Sequence, residues 1–233
     1  MADSRWALVV GASRGLGLGL AAELKRRGWN VVGTVRDKAG EDRVKALAAY
    51  PGGAVQVEQL DISDDAGIAV MRRQLGDRTF DLVFVNAGIA PPERRDAAHA
   101  SRDEAATVFL TNAVAPVRVA RAFLDLVRNG SGVIAFMSSG LGSVTNKTDN
   151  YSDLYSASKA ALNSLSRSFA ASLGRKQVTV LAIAPGWVRT DMGGPHATLS
   201  VEESAHGIAD VLERRSGSGR HGFVDYRGRD VAW

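Results

Sequence analysis

Short apolar runs rich in β-branched residues alternate with helix-period segments along the whole chain, and this alternation leaves few folds open. The runs are Trp6 to Val10, Val31 to Val35, Val55 to Leu60, Leu82 to Val85, Val133 to Met137, Val178 to Ala184 and Phe223 to Val224. Between them the spacing predicts helices over Leu16 to Arg27, Asp42 to Tyr50, Asp64 to Leu75, Arg102 to Val127, Tyr155 to Leu173 and Val201 to Arg215. Strands without polar alternation are buried on both faces, and the helical connections must lie against the sheet. The pattern therefore predicts an α/β fold, a doubly wound parallel sheet of seven strands with helices on both faces. Ser101 with Glu104 and Ser200 with Glu203 predict capping boxes at two helix starts. No repeat, low-complexity tract or linker interrupts the 233 residues, so residues 1–233 read as a single domain. Ligands in such sheets bind beyond the carboxyl ends of the strands.

Composition removes several classes of function. The chain has no Cys, which excludes disulfides, thiolate catalysis and Cys-ligated zinc or iron–sulfur sites, and redox chemistry must then come from a bound cofactor. The four His residues, His99, His196, His206 and His221, have no metal-ligand spacing and read as surface groups, with His196 a candidate substrate contact. The longest apolar run, Val178 to Pro185, contains Thr179 and is far too short to span a bilayer, so the expectation is a soluble cytoplasmic protein without a membrane partner. The 29 basic side chains exceed the 25 acidic ones, but they are scattered, with only short doublets such as Arg94-Arg95 and Arg214-Arg215. That distribution describes a solvated surface and not a nucleic-acid interface.

Directly after the first apolar run stands Gly11-Ala12-Ser13-Arg14-Gly15-Leu16-Gly17, followed by an apolar helix. Glycine permits positive φ and close backbone approach, and the helix start offers unpaired amides and a partial positive charge, which together suit a pyrophosphate. The second strand ends Thr34-Val35-Arg36-Asp37. An acidic residue at such an end would bind the ribose hydroxyls of NAD, whereas a guanidinium fork suits a 2′-phosphate. Arg36, with Arg14 in the glycine turn, predicts NADP(H); Asp37 would become the ribose ligand if the strand ended two positions later. Asp61 and Ile62, after the third strand, contact adenine or cap the helix near Asp64, and both readings stay open.

Gly11-x-x-x-Gly15-x-Gly17, Asn86-Ala87-Gly88, Asn112, Ser139, Tyr155-Ser156-Ala157-Ser158-Lys159 and Pro185-Gly186 occur in that order. This series resembles the motifs of the short-chain dehydrogenase/reductase superfamily, over almost the whole chain. The resemblance implies a single Rossmann-type domain and, from Pro185 to Pro195 and the ending Gly222 to Trp233, a C-factor and carbonyl-reductase-like branch. It also implies that Lys159 binds the nicotinamide ribose, that Ser139 hydrogen-bonds the substrate oxygen, and that Asn112 holds a water for the proton relay. Asn86, Ala87 and Gly88 would shape the cofactor floor. After Pro185 and Gly186, Val188 would offer backbone groups to the carboxamide and Thr190 its hydroxyl. Family members are mostly dimers or tetramers, so a homodimer or homotetramer is expected through the helices over Arg102 to Val127 and Tyr155 to Leu173.

The chemistry of Tyr155 and Lys159 has its own argument. Four apart on a helix, the two side chains share one face. A phenol of pKa about 10 would need lowering by roughly 3 units, about 4 kcal/mol, to act near neutrality. A positive charge at about 4 Å contributes on the order of 4 kcal/mol at an effective dielectric of about 20. Lys159 with an oxidised nicotinamide is therefore expected to depress the tyrosine. Tyr151 competes for the role of Tyr155, but four residues beyond it stands Tyr155 and not Lys, which assigns Tyr151 to the substrate wall. The family's strand ending selects Ser139 over Ser138. The loop Gly140 to Asn150 is a few residues longer than common in the family, and Asp191 to Ser200 looks like a mobile lid. Trp187, Met192, Leu141 and Tyr151 would then line an apolar substrate pocket, with core packing an equal explanation for Met192 and Leu141.

The expected activity is NADPH-dependent reduction of a ketone or aldehyde by Ser139, Tyr155 and Lys159. A non-catalytic NADP(H)-binding signalling or regulatory protein on the same fold is the alternative.

Overall fold

The computed structural model describes residues 4–91 and 97–233, so the doublet Arg94-Arg95 lies outside the described residues. Seven strands, β1 (Trp6–Val10), β2 (Asn30–Val35), β3 (Val55–Gln59), β4 (Leu82–Val85), β5 (Val133–Met137), β6 (Thr179–Ala184) and β7 (His221–Asp225), form one sheet. Their order is β3-β2-β1-β4-β5-β6-β7 and every pair is parallel. After β3 the chain crosses to the far side of β1 to begin β4. The carboxyl ends of β1 and β4 therefore diverge into a crevice, where a doubly wound sheet binds its ligand.

Both faces are covered. Leu8, Val10, Val83, Val85, Ile134 and Phe136 point into one core with α3 (Asp65–Leu75), α5 (Ala115–Ala122) and α6 (Asp153–Ala171). Ala7, Val9, Leu82, Phe84, Ala135 and Ile183 point into the other with α1 (Gly15–Arg26), α2 (Lys38–Ala46) and α7 (Val201–Arg215). This two-sided burial explains why the strands read as unbroken apolar runs. Phe136 meets Phe169 of α6 edge-on, with ring centroids 6.1 Å apart. At the far end of α1, Arg27 pairs with Glu23, Asp210 and Glu213 and fastens α1 to α7. Both expected capping boxes form, Ser101 with Glu104 and Ser200 with Glu203.

Three elements depart from expectation. The single helix expected over Arg102 to Val127 is divided into α4 (Arg102–Phe109), a wider π turn over Leu110–Val114, and α5. α2 begins at Lys38 instead of Asp42, because Asp37 caps it by accepting the Gly40 N–H at 2.7 Å. His221 is not a surface group: it is half-buried in β7, stacks on Trp233 with centroids 5.0 Å apart, and burial pushes its pKa down to about 4. Among the described residues, no helix is long and apolar enough to cross a membrane.

Candidate active site

The crevice is floored by the glycine turn. Gly11 (φ 86) and Gly15 (φ 53) occupy the left-handed region, which other residues rarely adopt. Gly17 is demanded by space, since a Cβ there would lie 2.0 Å from the Gly11 carbonyl oxygen. Thr34 Oγ1 accepts the Gly11 N–H at 3.0 Å, and Asn86 Nδ2 donates to the Gly11 carbonyl at 2.8 Å. Ala87, whose N–H donates to Val10 O at 3.0 Å, packs directly against Gly11. Arg14, the residue before α1, forms no side-chain cap, so the positive end of the helix dipole is left facing the turn. A backbone cradle that only glycine fills, at an uncapped helix start, fits a dinucleotide pyrophosphate.

Around this cradle the sequence-derived residues divide. The Ser13 carbonyl accepts Arg43 Nε at 2.7 Å, which braces the turn from α2, and Leu16 packs into the core with α1. Arg36 is exposed at the end of β2, and its charge acts on Asp61. Arg14 reaches in another direction and pairs with Asp191, both side chains being mostly exposed. Asp37 has its carboxylate engaged at the α2 cap. Asp61 Oδ1 accepts the Ser63 N–H at 2.9 Å and hydroxyl at 2.6 Å, bonds that hold its carboxyl below the usual range, while Asp64 caps α3. Ile62 is buried beside them.

Three separate elements deliver the polar cluster above the cradle. Ser138 and Ser139 directly follow β5, and the Ser139 hydroxyl lies close enough to the Tyr155 phenol, in the first turns of α6, to draw its pKa down. Ser139 Oγ also accepts the Leu141 N–H at 3.2 Å. One turn on, Lys159 is 2% exposed and its Nζ lies 5.7 Å from the centre of the Tyr155 ring, donating to Met137 O at 2.8 Å. Asn112, at the middle of the π turn, is 0% exposed; it donates to Ile89 O at 2.8 Å and accepts the Ile89 N–H at 2.8 Å. Its Nδ2 also donates to Ser158 Oγ at 3.0 Å. Gly88 sits between Asn112 and Lys159, where an added Cβ would meet Asn112 Oδ1 at 3.2 Å and Lys159 Nζ at 3.3 Å.

The electrostatics of this cluster without nucleotide are governed by the exclusion of water. Burial pushes the Tyr155 phenol up to about 12, opposed only by the Ser139 hydroxyl. Burial also pushes Lys159 down to about 8. Desolvation penalises both charged forms, and the ammonium is directed at a carbonyl. In the protein alone Tyr155 therefore holds its proton at neutral pH.

The expected pocket residues lie in the loops after β5 and β6. Leu141 is half-buried, while Tyr151, Trp187 and Met192 are large exposed apolar side chains, joined by Val144, which sequence reasoning passed over. Trp187 Nε1 donates to Gly193 O at 2.8 Å, and Thr190 Oγ1 accepts the Gly193 N–H at 3.1 Å. Val188 is buried and bridges Leu199; Pro185 O accepts Ser204 Oγ at 2.8 Å, and Gly186 (φ 81) makes the turn between them. His196 is exposed in the same segment.

The family description enoyl-(acyl carrier protein) reductase matches residues 11–217. The chain belongs to the short-chain dehydrogenase/reductases. It is 44% identical to a putative short-chain dehydrogenase/reductase of Burkholderia multivorans with bound NADP, with a TM-score of 0.94 over 99% of this chain and 100% of that one. A carbonyl reductase of Pseudomonas aeruginosa PAO1 in complex with NADP is 42% identical, with a TM-score of 0.91 over 99% of this chain and 100% of that one. The C-signal of Myxococcus xanthus is 38% identical over 129 residues, 55% of this chain and 78% of that protein. Short-chain dehydrogenase/reductases similar to this one thus bind NADP and include carbonyl reductases, in agreement with the resemblance of the motif series.

Proposed function

We propose that this short-chain dehydrogenase/reductase reduces a ketone or aldehyde with NADPH. The observation that carries the reading is the placement of Tyr155 beside Ser139, with Lys159 buried one turn along and its Nζ 5.7 Å from the Tyr155 ring centre. NADPH, when bound, supplies the hydride for the carbonyl carbon. Ser139 and Tyr155 converge on the carbonyl oxygen, and the phenol, holding its proton at neutral pH, passes it to the developing alkoxide. Lys159, beside Gly88 and Asn112, binds ribose hydroxyls and restores the proton through Asn112-held water. Gly11, Gly15 and Gly17 take the pyrophosphate, Arg36 the 2′-phosphate, joined by Arg14 once it leaves Asp191, and Asp61, Ile62, Asn86, Ala87, Pro185, Gly186, Val188 and Thr190 the rest of the dinucleotide. Leu141, Tyr151, Trp187 and Met192 form the apolar substrate mouth, and the chain works as a homodimer or homotetramer.

The test is loss of NADPH absorbance over a panel of ketones, aldehydes and an α,β-unsaturated thioester, the last because the family description names an enoyl reductase. Turnover of a carbonyl that Tyr155→Phe abolishes, with NADPH binding retained, is the expected result; wild-type rates in Tyr155→Phe refute the assignment. The similarity to a protein named C-signal favours a second reading, a nucleotide-bound signalling protein, which predicts NADPH binding without turnover on any member of the panel.

A further inference from the structure

Behind Ser139 lies a buried amide that the proposed chemistry does not use. Asn163 stands one turn beyond Lys159 on α6 and is 3% exposed. Its Oδ1 accepts the Ser138 hydroxyl at 2.6 Å, and its Nδ2 donates to the Gly142 carbonyl at 3.1 Å. Ser138 immediately precedes Ser139, and Gly142 closes the tight turn after it, donating its N–H to Ser139 O at 2.9 Å. One side chain on the Tyr155–Lys159 helix therefore grips the Ser139 segment on both sides. The grip is close: a Cβ on Gly142 would lie 2.9 Å from the Lys159 carbonyl carbon and Cβ.

We propose that Asn163 is a positioning residue that sets the separation of the Ser139 hydroxyl from the Tyr155 phenol. The inference rests on the carbonyl-reductase reading of that pair. Only a side chain that accepts from a hydroxyl and donates to a carbonyl at once satisfies Ser138 and Gly142 together. An aliphatic residue would fill the space but leave both buried groups unpaired, and a carboxylate would accept from Ser138 and repel the Gly142 carbonyl. A purely architectural amide would have no reason to bridge the two flanks of a reacting serine.

The experiment compares wild type with Asn163→Ala, Asn163→Asp and, as a packing control on the same helix, Leu162→Ala. In Asn163→Ala, kcat for a carbonyl substrate falls about 10- to 100-fold, the loss that a displacement near 1 Å produces, while the NADPH Kd stays within about twofold. Asn163→Asp shows an additional inflection in its pH profile, with activity recovering as the pH is lowered and the protonated carboxyl again donates to Gly142 O. Independently of turnover, amide exchange at Leu141 and Gly142 accelerates in Asn163→Ala while the β5 and β6 amides stay protected. Unchanged kcat and exchange in a folded Asn163→Ala, or an equal kcat loss in Leu162→Ala, overturns the proposal. A wild-type protein that turns over no carbonyl overturns the functional reading instead, and the exchange measurement still decides whether Asn163 holds the serine turn.

Discussion

Replacing Lys159 with Met is expected to make the protein more stable at neutral pH, even though it removes a residue assigned to catalysis. The ammonium is buried, and desolvation lowers it from 10.5 to about 8. A folded-state pKa below the unfolded value means that the folded protein binds this proton less tightly. The penalty is full below pH 8 and disappears as the pH rises toward 10.5. At 1.36 kcal/mol per pKa unit, the shift corresponds to about 3 kcal/mol at pH 7 and to less than about 1 kcal/mol at pH 10. Against the gain stands the lost hydrogen bond from the charged Nζ to Met137 O, worth about 1.5 to 2 kcal/mol, so Lys159→Met gains a net of about 1 to 1.5 kcal/mol at pH 7. Methionine keeps the length and apolar volume of the lysine stem, so no large cavity opens. Urea midpoints for both proteins at pH 7 and pH 10 isolate the protonation effect, because other titrating groups cancel in the difference. The stability difference moves against the variant by about 2 to 2.5 kcal/mol between the two pH values. An advantage independent of pH, or one that grows with pH, refutes the argument.

Two further outcomes test the cofactor cradle. Arg36→Ala weakens NADPH binding about 10- to 100-fold, the loss of a charge-assisted hydrogen bond, and leaves NADH affinity unchanged by fluorescence titration; equal losses for both nucleotides would remove Arg36 from the 2′-phosphate site. Gly17→Ala abolishes NADPH binding in equilibrium titration and lowers stability by 1 kcal/mol or more through the Gly11 clash, and wild-type affinity would show that the turn has room to give.

The strand–helix alternation was legible because burial on both faces leaves its mark on every strand: Leu8 and Val9 serve opposite cores and both must be apolar. The glycine turn was legible for a similar reason, since Gly11, Gly15 and Gly17 are demanded by φ or by contact. What escaped the sequence depends on tertiary partners. Asp37 could serve a ribose only if the strand ran two positions further; β2 ends at Val35, and Asp37 instead caps the helix that begins at Lys38. The division between α4 and α5 follows from Asn112 pairing with the backbone of Ile89, a residue 23 positions away. The exclusion of water around Tyr155 is equally absent from the sequence, because spacing along a helix reveals the neighbouring charge but not burial. Asn163 carries no motif, and only the turn it holds through Ser138 and Gly142 gives it meaning.

The π turn makes Asn112 unusually sensitive to chain length. A helix that widens by one residue rotates everything after it by about 100° relative to the regular spiral. Deleting a single residue from Leu110–Val114 would let the helix close into its commoner form, with every core contact of either α4 or α5 swung out of register. The extra residue thus acts as a phase shifter between two helical segments, and insertion or deletion here is far less tolerable than in the exposed loops that flank the site.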